Sequence, residues 1–301
     1  MTDWQIHLGD CITGMGELEP ESVDLTVTSI PFGALFMYSG KNEDIGNNED
    51  GTDLARSFFG AHLRFWAEAL FRVTKPGTLV AIHIQQLITY KVQHGYMGRR
   101  DLRGATVDVL NAAGFDWWAE YTIPKNPQVI AQRQKLNSLL FATGYRDGRS
   151  LAPAVNDHCL VFKRPGEAEA VPCLFHESKN PDGWVSTDEW IRWARGTWDD
   201  VRETDVLEGW QMGRDEDDEK HVCPLQLDVI RRCVKLWTNP GDLVFDPFTG
   251  IGSTPYVAVE EGRQGLGFEL KESYHRQACK NLEKVATGGS AQMTIEEAMA
   301  A

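Results

Sequence analysis

The chain has 301 residues, 42% of them hydrophobic, enough for one large core or for one core with a small appended module. Its formal net charge of −14 excludes a simple basic nucleic-acid binder, and no apolar run is long enough to cross a bilayer. Met1-Thr2-Asp3-Trp4 begins no signal peptide. Six scattered cysteines with no C-x-x-C pair argue against zinc and disulfide frameworks and fit a reducing cytoplasm.

In chain order, Gln5 to Leu8 reads as a strand ending at Gly9-Asp10-Cys11, and Ile12 to Leu18 as a short helix. Val23 to Thr28 is rich in β-branched residues and predicts a buried strand that ends at Ser29-Ile30-Pro31-Phe32-Gly33. Residues 38–53 carry Gly, Asn, Asp and Glu with little apolar periodicity, the pattern of a loop. Helical spacing of Leu63, Trp66, Ala67, Leu70 and Phe71 predicts a helix over 54–73, stopped by Lys75-Pro76-Gly77. A strand over 78–84, a helix over 102–113 ending at Gly114 and a strand over 115–123 follow. Alternating helices and strands predict an α/β fold with a mostly parallel, helix-covered sheet.

Residues 125–154 break this rhythm. From Lys125 to Arg164 there are seven Lys and Arg against two Asp, including Arg133, Lys135, Arg146 and Arg149. After a strand over 157–162, residues 167–213 are irregular and hold Trp184, Trp190, Trp193, Trp198 and Trp210. Such aromatics either stack on bases or form the small core of an inserted subdomain. The run Asp215 to Glu219 reads as a solvated acidic linker, and 223–237 as an amphipathic helix.

Asp246-Pro247-Phe248-Thr249-Gly250-Ile251-Gly252-Ser253-Thr254 is the most informative stretch. Leu243-Val244-Phe245 before it reads as a strand and Pro255 to Glu261 after it as a helix, so the glycines form the turn of a nucleotide-binding unit. A second strand follows and ends in Glu269, the place where such units bind ribose hydroxyls. Only a helix over 273–285 and a small-residue tail come later, so the remaining strands of the sheet must come from the N-terminal part of the chain. The cofactor half sits last, in a permuted order.

Together these residues resemble the amino-methyltransferases of DNA in the β arrangement of their motifs. Asp246 to Thr254 is similar to the family's S-adenosylmethionine motif, D-P-F-x-G-x-G-[ST]-T, and Ser29-Ile30-Pro31-Phe32 to its catalytic motif, [DNS]-P-P-[YFW]. Gly9-Asp10-Cys11, Arg72 to Gly77 and Pro224-Leu225 match further family segments. Ile30 stands where the family has its first proline. The resemblance implies a Rossmann-like methyltransferase sheet, circularly permuted, with an inserted target-recognition region. It divides the chain into a catalytic half (1–124), the insert (125–220, with one sheet strand), a cofactor half (221–286) and a flexible tail (287–301).

The implied cofactor is S-adenosylmethionine, held by Asp10, Cys11, Pro224, Asp246, Pro247, Phe248, Gly250, Gly252, Ser253, Thr254 and Glu269. The implied catalytic residues are Ser29, Pro31 and Phe32, with Phe32 stacking on a base flipped from double-stranded DNA. Arg133, Lys135, Arg146 and Arg149, with the tryptophan-rich insert, are the candidate DNA contacts. An exocyclic amino nitrogen is a poor nucleophile because its lone pair is delocalised, and acceptors on its protons favour attack on a methyl group. In this family a serine at the first motif position goes more often with N4 of cytosine, so cytosine is favoured over N6 of adenine. Two other readings remain: a DNA-binding protein with a degenerate site, and a nicotinamide-dependent oxidoreductase, which Pro255 in place of a third glycine disfavours. The resemblance also allows a homodimer.

Overall fold

The structure is a computed structural model that describes residues 3–31, 43–45, 57–134, 136–208 and 224–288. Its elements in chain order are β1 (Trp4–Leu8), α1 (Cys11–Glu17), β2 (Val23–Ser29), α2 (Phe58–Val73), β3 (Thr74–Gln85), β4 (Leu87–Thr89), α3 (Lys91–His94), β5 (Gly98–Arg100), α4 (Leu102–Ala113) and β6 (Asp116–Ile123). They continue with α5 (Pro127–Gln134), α6 (Phe141–Arg146), β7 (Asp157–Lys163), α7 (Thr187–Trp193), α8 (Leu227–Trp237), β8 (Leu243–Asp246), α9 (Ser253–Glu260), β9 (Gln264–Glu269) and α10 (Glu272–Ala286).

Seven strands form one sheet in the order β1-β9-β8-β2-β3-β7-β6. Neighbours from β1 to β3 pair in parallel, and β7 alone runs against its neighbours. Strands β1 and β9 come from opposite ends of the sequence yet pair from Trp4↔Gly265 to Leu8↔Glu269. The N-terminal part thus supplies the strands that the glycine-rich unit lacks.

The long apolar runs of the central strands follow from helices on both faces. On one face Val80, Ile82 and Ile84 of β3 and Leu160 and Phe162 of β7 pack with Met15, Trp66, Leu70 and Leu110 of α1, α2 and α4. On the other, Leu25, Val27, Ala81 and Val161 pack with Ile230 and Val234 of α8, Val257 of α9 and Leu282 of α10. Each large apolar side chain buried in this way contributes roughly 1.5–3 kcal/mol, so the two layers together carry the sheet.

Local chemistry sets the helix ends. The carboxylates of Asp10 and Asp101 and the hydroxyl of Ser57 accept from Thr13 N at 2.8 Å, Gly104 N at 2.9 Å and Gly60 N at 3.1 Å, capping α1, α4 and α2. Gly114, at φ +107°, ends α4 in the left-handed region. Some expected boundaries moved: the helices expected over 54–73 and 223–237 begin at Phe58 and Leu227. The strand expected from Thr78 begins at Thr74, because Thr74 pairs with Val23 and Gly77, at φ +78°, absorbs the register shift. The loop expected at 38–53 lies almost wholly outside the described residues, and within it Ile45 is buried in the core. Among the described residues no helix is long and apolar enough to cross a membrane.

The two segments without sheet strands lie on different sides. Residues 124–156 join the end of β6 to the start of β7, where Asp157 is paired with both Ile123 and Gln85. That is the edge at which the parallel strands end. Residues 164–208 leave from the far end of β7 and cover the side of α8.

Candidate functional site

Strand β8 ends at Asp246, which is 4% exposed. Its Oδ1 accepts from Thr28 Oγ1 at 2.6 Å and from Phe248 N at 3.0 Å, so the acid ties the glycine-rich turn to the end of the neighbouring β2. Thr254 Oγ1 donates to Val27 O at 3.0 Å and makes the same connection from α9. Gly252, at φ +94°, caps α9, and a Cβ there would lie 3.2 Å from Ala278 Cβ, so glycine lets α9 and α10 approach. Gly250, at φ +55°, has no described heavy atom within 4 Å of its Cβ position. The turn therefore presents bare backbone outwards, beside the positive end of α9. Pro247 and Ser253 are buried beneath it, and Phe248 is half-buried with its ring 5.6 Å from that of Trp66.

Glu269 at the end of β9 is half-buried. Its Oε2 accepts from Gly250 N at 2.8 Å and its Oε1 from Lys271 N at 2.7 Å, while its backbone oxygen accepts from Gly9 N at 2.9 Å. Asp10 and Cys11 at the start of α1 thus stand beside the same acid as Gly250. The Leu270 amide also bonds this carboxylate, which still has acceptor capacity left for a hydroxyl donor. Burial pushes Glu269 up to about 7, against the lowering pull of the Lys271 and Gly250 amides and with help from the charge of Asp246. Burial raises Asp246 to about 6, opposed by its bonds from Thr28 and Phe248. Burial also drives the Cys11 thiol well above its usual range, with the Asp10 charge adding to the shift. These donors and acceptors fit a ribose-bearing cofactor: an acid with acceptor capacity to spare, an open glycine turn and a helix N-terminus on one edge.

Ser29 ends β2 directly after Thr28, one strand away from the cofactor turn. Ile30, in place of the family's first proline, is 1% exposed and sits in the same apolar cluster as Trp66 and Phe59. Burial in the core anchors the backbone that a proline ring stiffens elsewhere. Ser29 Oγ lies 3.4 Å from His83 Nδ1, and His83 Nε2 lies 3.0 Å from Asp157 Oδ2. Lys125 Nζ reaches Asp157 Oδ2 at 2.5 Å, and Gln85 Nε2 donates to Asp157 Oδ1 at 3.0 Å. Burial opposes ionisation of Asp157, but His83 and Lys125 hold its carboxyl below the usual range.

The structure therefore brings Ser29, Pro31, Asp10, Cys11, Asp246 to Thr254 and Glu269 to one edge of the sheet. Pro224 precedes α8 on the face that α8 shares with α9. Arg146 closes α6 and Arg149 follows it, both exposed on the 124–156 segment of that edge. Phe32 and Lys135 lie outside the described residues, as does the side chain of Arg133. The tryptophans of 164–208 are mostly spent on packing. Trp198 is 1% exposed and stacks on Tyr121 at 4.2 Å between centroids, and Trp184 Nε1 donates to Lys235 O at 2.5 Å.

Sequence reading missed His83, Asp157 and Lys125 as neighbours of Ser29. A histidine inside the apolar run Ala81 to Ile84 was a visible signal, but its facing strand was not.

Comparison with known proteins agrees with this geometry. The model of a DNA methylase family matches residues 23–280. The Type II methyltransferase M.BglI of Bacillus subtilis is 32% identical over 130 residues, 42% of this chain and 30% of that protein, so this chain spans under a third of that relative. A candidate DNA modification methylase of Thermus thermophilus, solved with S-adenosyl-L-methionine, covers 95% of this chain and 96% of its own at a TM-score of 0.67 and 20% identity. The cytosine-N4-specific PvuII DNA methyltransferase covers 95% and 94% at 0.57 and 16%, and at these identities both structures show the fold alone. With the family model matched across both the Ser29 edge and the glycine-rich turn, the chain belongs to this DNA methylase family.

Proposed function

We propose that the chain is an S-adenosylmethionine-dependent DNA methyltransferase that modifies an exocyclic amino group of a flipped base, with N4 of cytosine favoured. The observation that carries this reading is the bond from Thr28 to Asp246 at 2.6 Å. It locks the end of β2, where Ser29 stands, against the turn suited to the cofactor.

When bound, S-adenosylmethionine supplies an electrophilic methyl group. Glu269 accepts from the ribose hydroxyls, Asp10 and Cys11 line the adenine end, and the backbone at Gly250 and Gly252 faces the amino-acid part. Ser29 Oγ accepts one amino proton of the base and a backbone carbonyl of 29–31 the other, which draws electron density to the nitrogen. Arg146 and Arg149, with Arg133 and Lys135, contact phosphates of double-stranded DNA. A serine in the first motif position favours cytosine.

The test is incubation with S-adenosylmethionine and mixed-sequence duplex DNA, followed by digestion to nucleosides and mass spectrometry. N4-methylcytosine, strongly reduced but still measurable in Ser29→Ala, is the expected product. N6-methyladenine would overturn the choice of base, and no methylated base would overturn the activity.

A further inference from the structure

The chain Ser29–His83–Asp157–Lys125 assembles four side chains from four places. Ser29 ends β2, His83 is its direct partner in β3, Asp157 opens β7, and Lys125 begins the segment after β6. His83 and Asp157 are both buried, and Lys125, its side chain 8% exposed, reaches in from the segment after β6. Buried acids and imidazoles are costly unless paired, so a run of such groups ending on one serine asks for a reason.

The geometry fixes one proton position. Asp157 is a carboxylate and can only accept, so the ring nitrogen beside it, Nε2, carries the hydrogen. Lys125 already balances the charge of Asp157. In the neutral ring Nδ1 is then a bare acceptor, and it faces Ser29 Oγ at 3.4 Å. The serine hydroxyl has one proton. Donated to Nδ1, it leaves both oxygen lone pairs turned away from the imidazole.

We propose that His83 and Asp157 are positioning residues for Ser29: the imidazole takes the hydroxyl proton, so that the oxygen presents only lone pairs to the amino group of the base. Lys125 holds Asp157 in place and joins this chain to the segment carrying Arg146 and Arg149. The inference rests on the methyl-transfer reading of the Ser29 edge. It gives the serine a fixed polarity, since a hydroxyl free to rotate also points its proton at the base and repels the amino hydrogens.

The test measures methyl transfer by His83→Phe and His83→Asn, each in the Ser29 and the Ser29→Ala background. His83→Phe keeps the ring volume but removes the acceptor, and it lowers kcat about 100-fold while KM for cofactor and for DNA changes by about twofold or less. His83→Asn places an acceptor near the position of Nδ1 and restores about tenfold of that loss. In the Ser29→Ala background His83→Phe has no further effect, because it acts only through the hydroxyl. Equal losses in Phe and Asn, or full additivity with Ser29→Ala, overturn the proposal. Nitrogen-15 NMR of the wild-type imidazole reads the same arrangement without turnover: a protonated Nε2 and bare Nδ1 support it, and the reverse tautomer overturns it. A wild-type protein that transfers no methyl group, with the tautomer as expected, would instead sink the activity on which the proposal rests.

Discussion

The segments 124–156 and 164–208 are both inserted between sheet strands or after them, and both are irregular, yet they do opposite work. The first lies at the edge where Ser29 and Glu269 end their strands. It exposes Phe141, Tyr145, Arg146 and Arg149 and, with Arg99 and Lys125, walls a cavity of about 900 Å³. The second holds more tryptophan and turns most of it inwards, with Trp190 left 45% exposed. Trp193 and Trp198 enclose the guanidinium of Arg232, which pairs with Asp200 at 2.8 Å and Asp228 at 2.6 Å, and Arg263 lies 4.8 Å from the ring of Trp184. The richer aromatic composition marks a packed clasp over α8. Exposure beside basic residues, at the edge where Ser29 stands, marks the surface we propose for nucleic acid.

The sharpest way to break this contrast is to remove one aromatic from each segment. Trp198→Ala should cost about 3–5 kcal/mol in denaturant unfolding, with unchanged DNA affinity for the protein that remains folded. Loss of DNA affinity at unchanged stability would make the clasp a DNA surface after all. Tyr145, 89% exposed, should behave in reverse. Tyr145→Ala is expected to weaken DNA binding by about 1–3 kcal/mol in fluorescence anisotropy if its ring stacks on a base, while stability shifts by roughly 0.5 kcal/mol or less.

Charge gives the next cut. Arg146→Ala with Arg149→Ala should lower the slope of log affinity against log salt by about 2, one step per lost phosphate contact. An unchanged slope would move the phosphate contacts off this segment. The smallest effect belongs to neither insert and serves as their control. Glu269 is raised to about 7, and its carboxylate form is the better acceptor for ribose hydroxyls. Cofactor affinity should therefore fall about tenfold from pH 8 to pH 6 in calorimetry, and Glu269→Gln should flatten the profile. The sign for the cofactor-free protein is opposite. A carboxyl whose folded value is raised adds stability below its unfolded value, and this is lost as pH rises through about 6 for Asp246 and about 7 for Glu269.

The parts of this molecule legible in the sequence are those with local causes. Apolar runs such as Val23 to Val27 mark strands buried on both faces, and the turn from Asp246 to Thr254 carries its own conformational demands in its glycines. The helix over 102–113 was readable because Asp101 and Gly114 bracket it chemically. The contacts around Ser29 were not readable in this way. That His83 faces Ser29 depends on which strand lies beside β2 and in what register, and that Asp157 completes the chain depends on β7 running backwards. The role of the tryptophans was equally hidden, since composition counts rings without saying which way they point. Ile30 shows the limit from the other side: the motif marks it as a departure, and only the fold shows its side chain seated in the core.

Among the described residues strand β1 pairs with β9 alone, so Trp4 must wait for Gly265. During synthesis the first strand therefore emerges long before its place exists, and pairing across such a separation closes late. The acid that ends β9 also receives the amide of Gly9, so the cofactor edge is finished by the same event that unites the two ends of the sheet. A nascent chain on the ribosome, or a fragment cut short before residue 264, has the Ser29 strand but no completed seat beside it. Competence is in this sense all-or-none, and a half-made molecule lacks the joined edge on which the proposed methyl transfer depends.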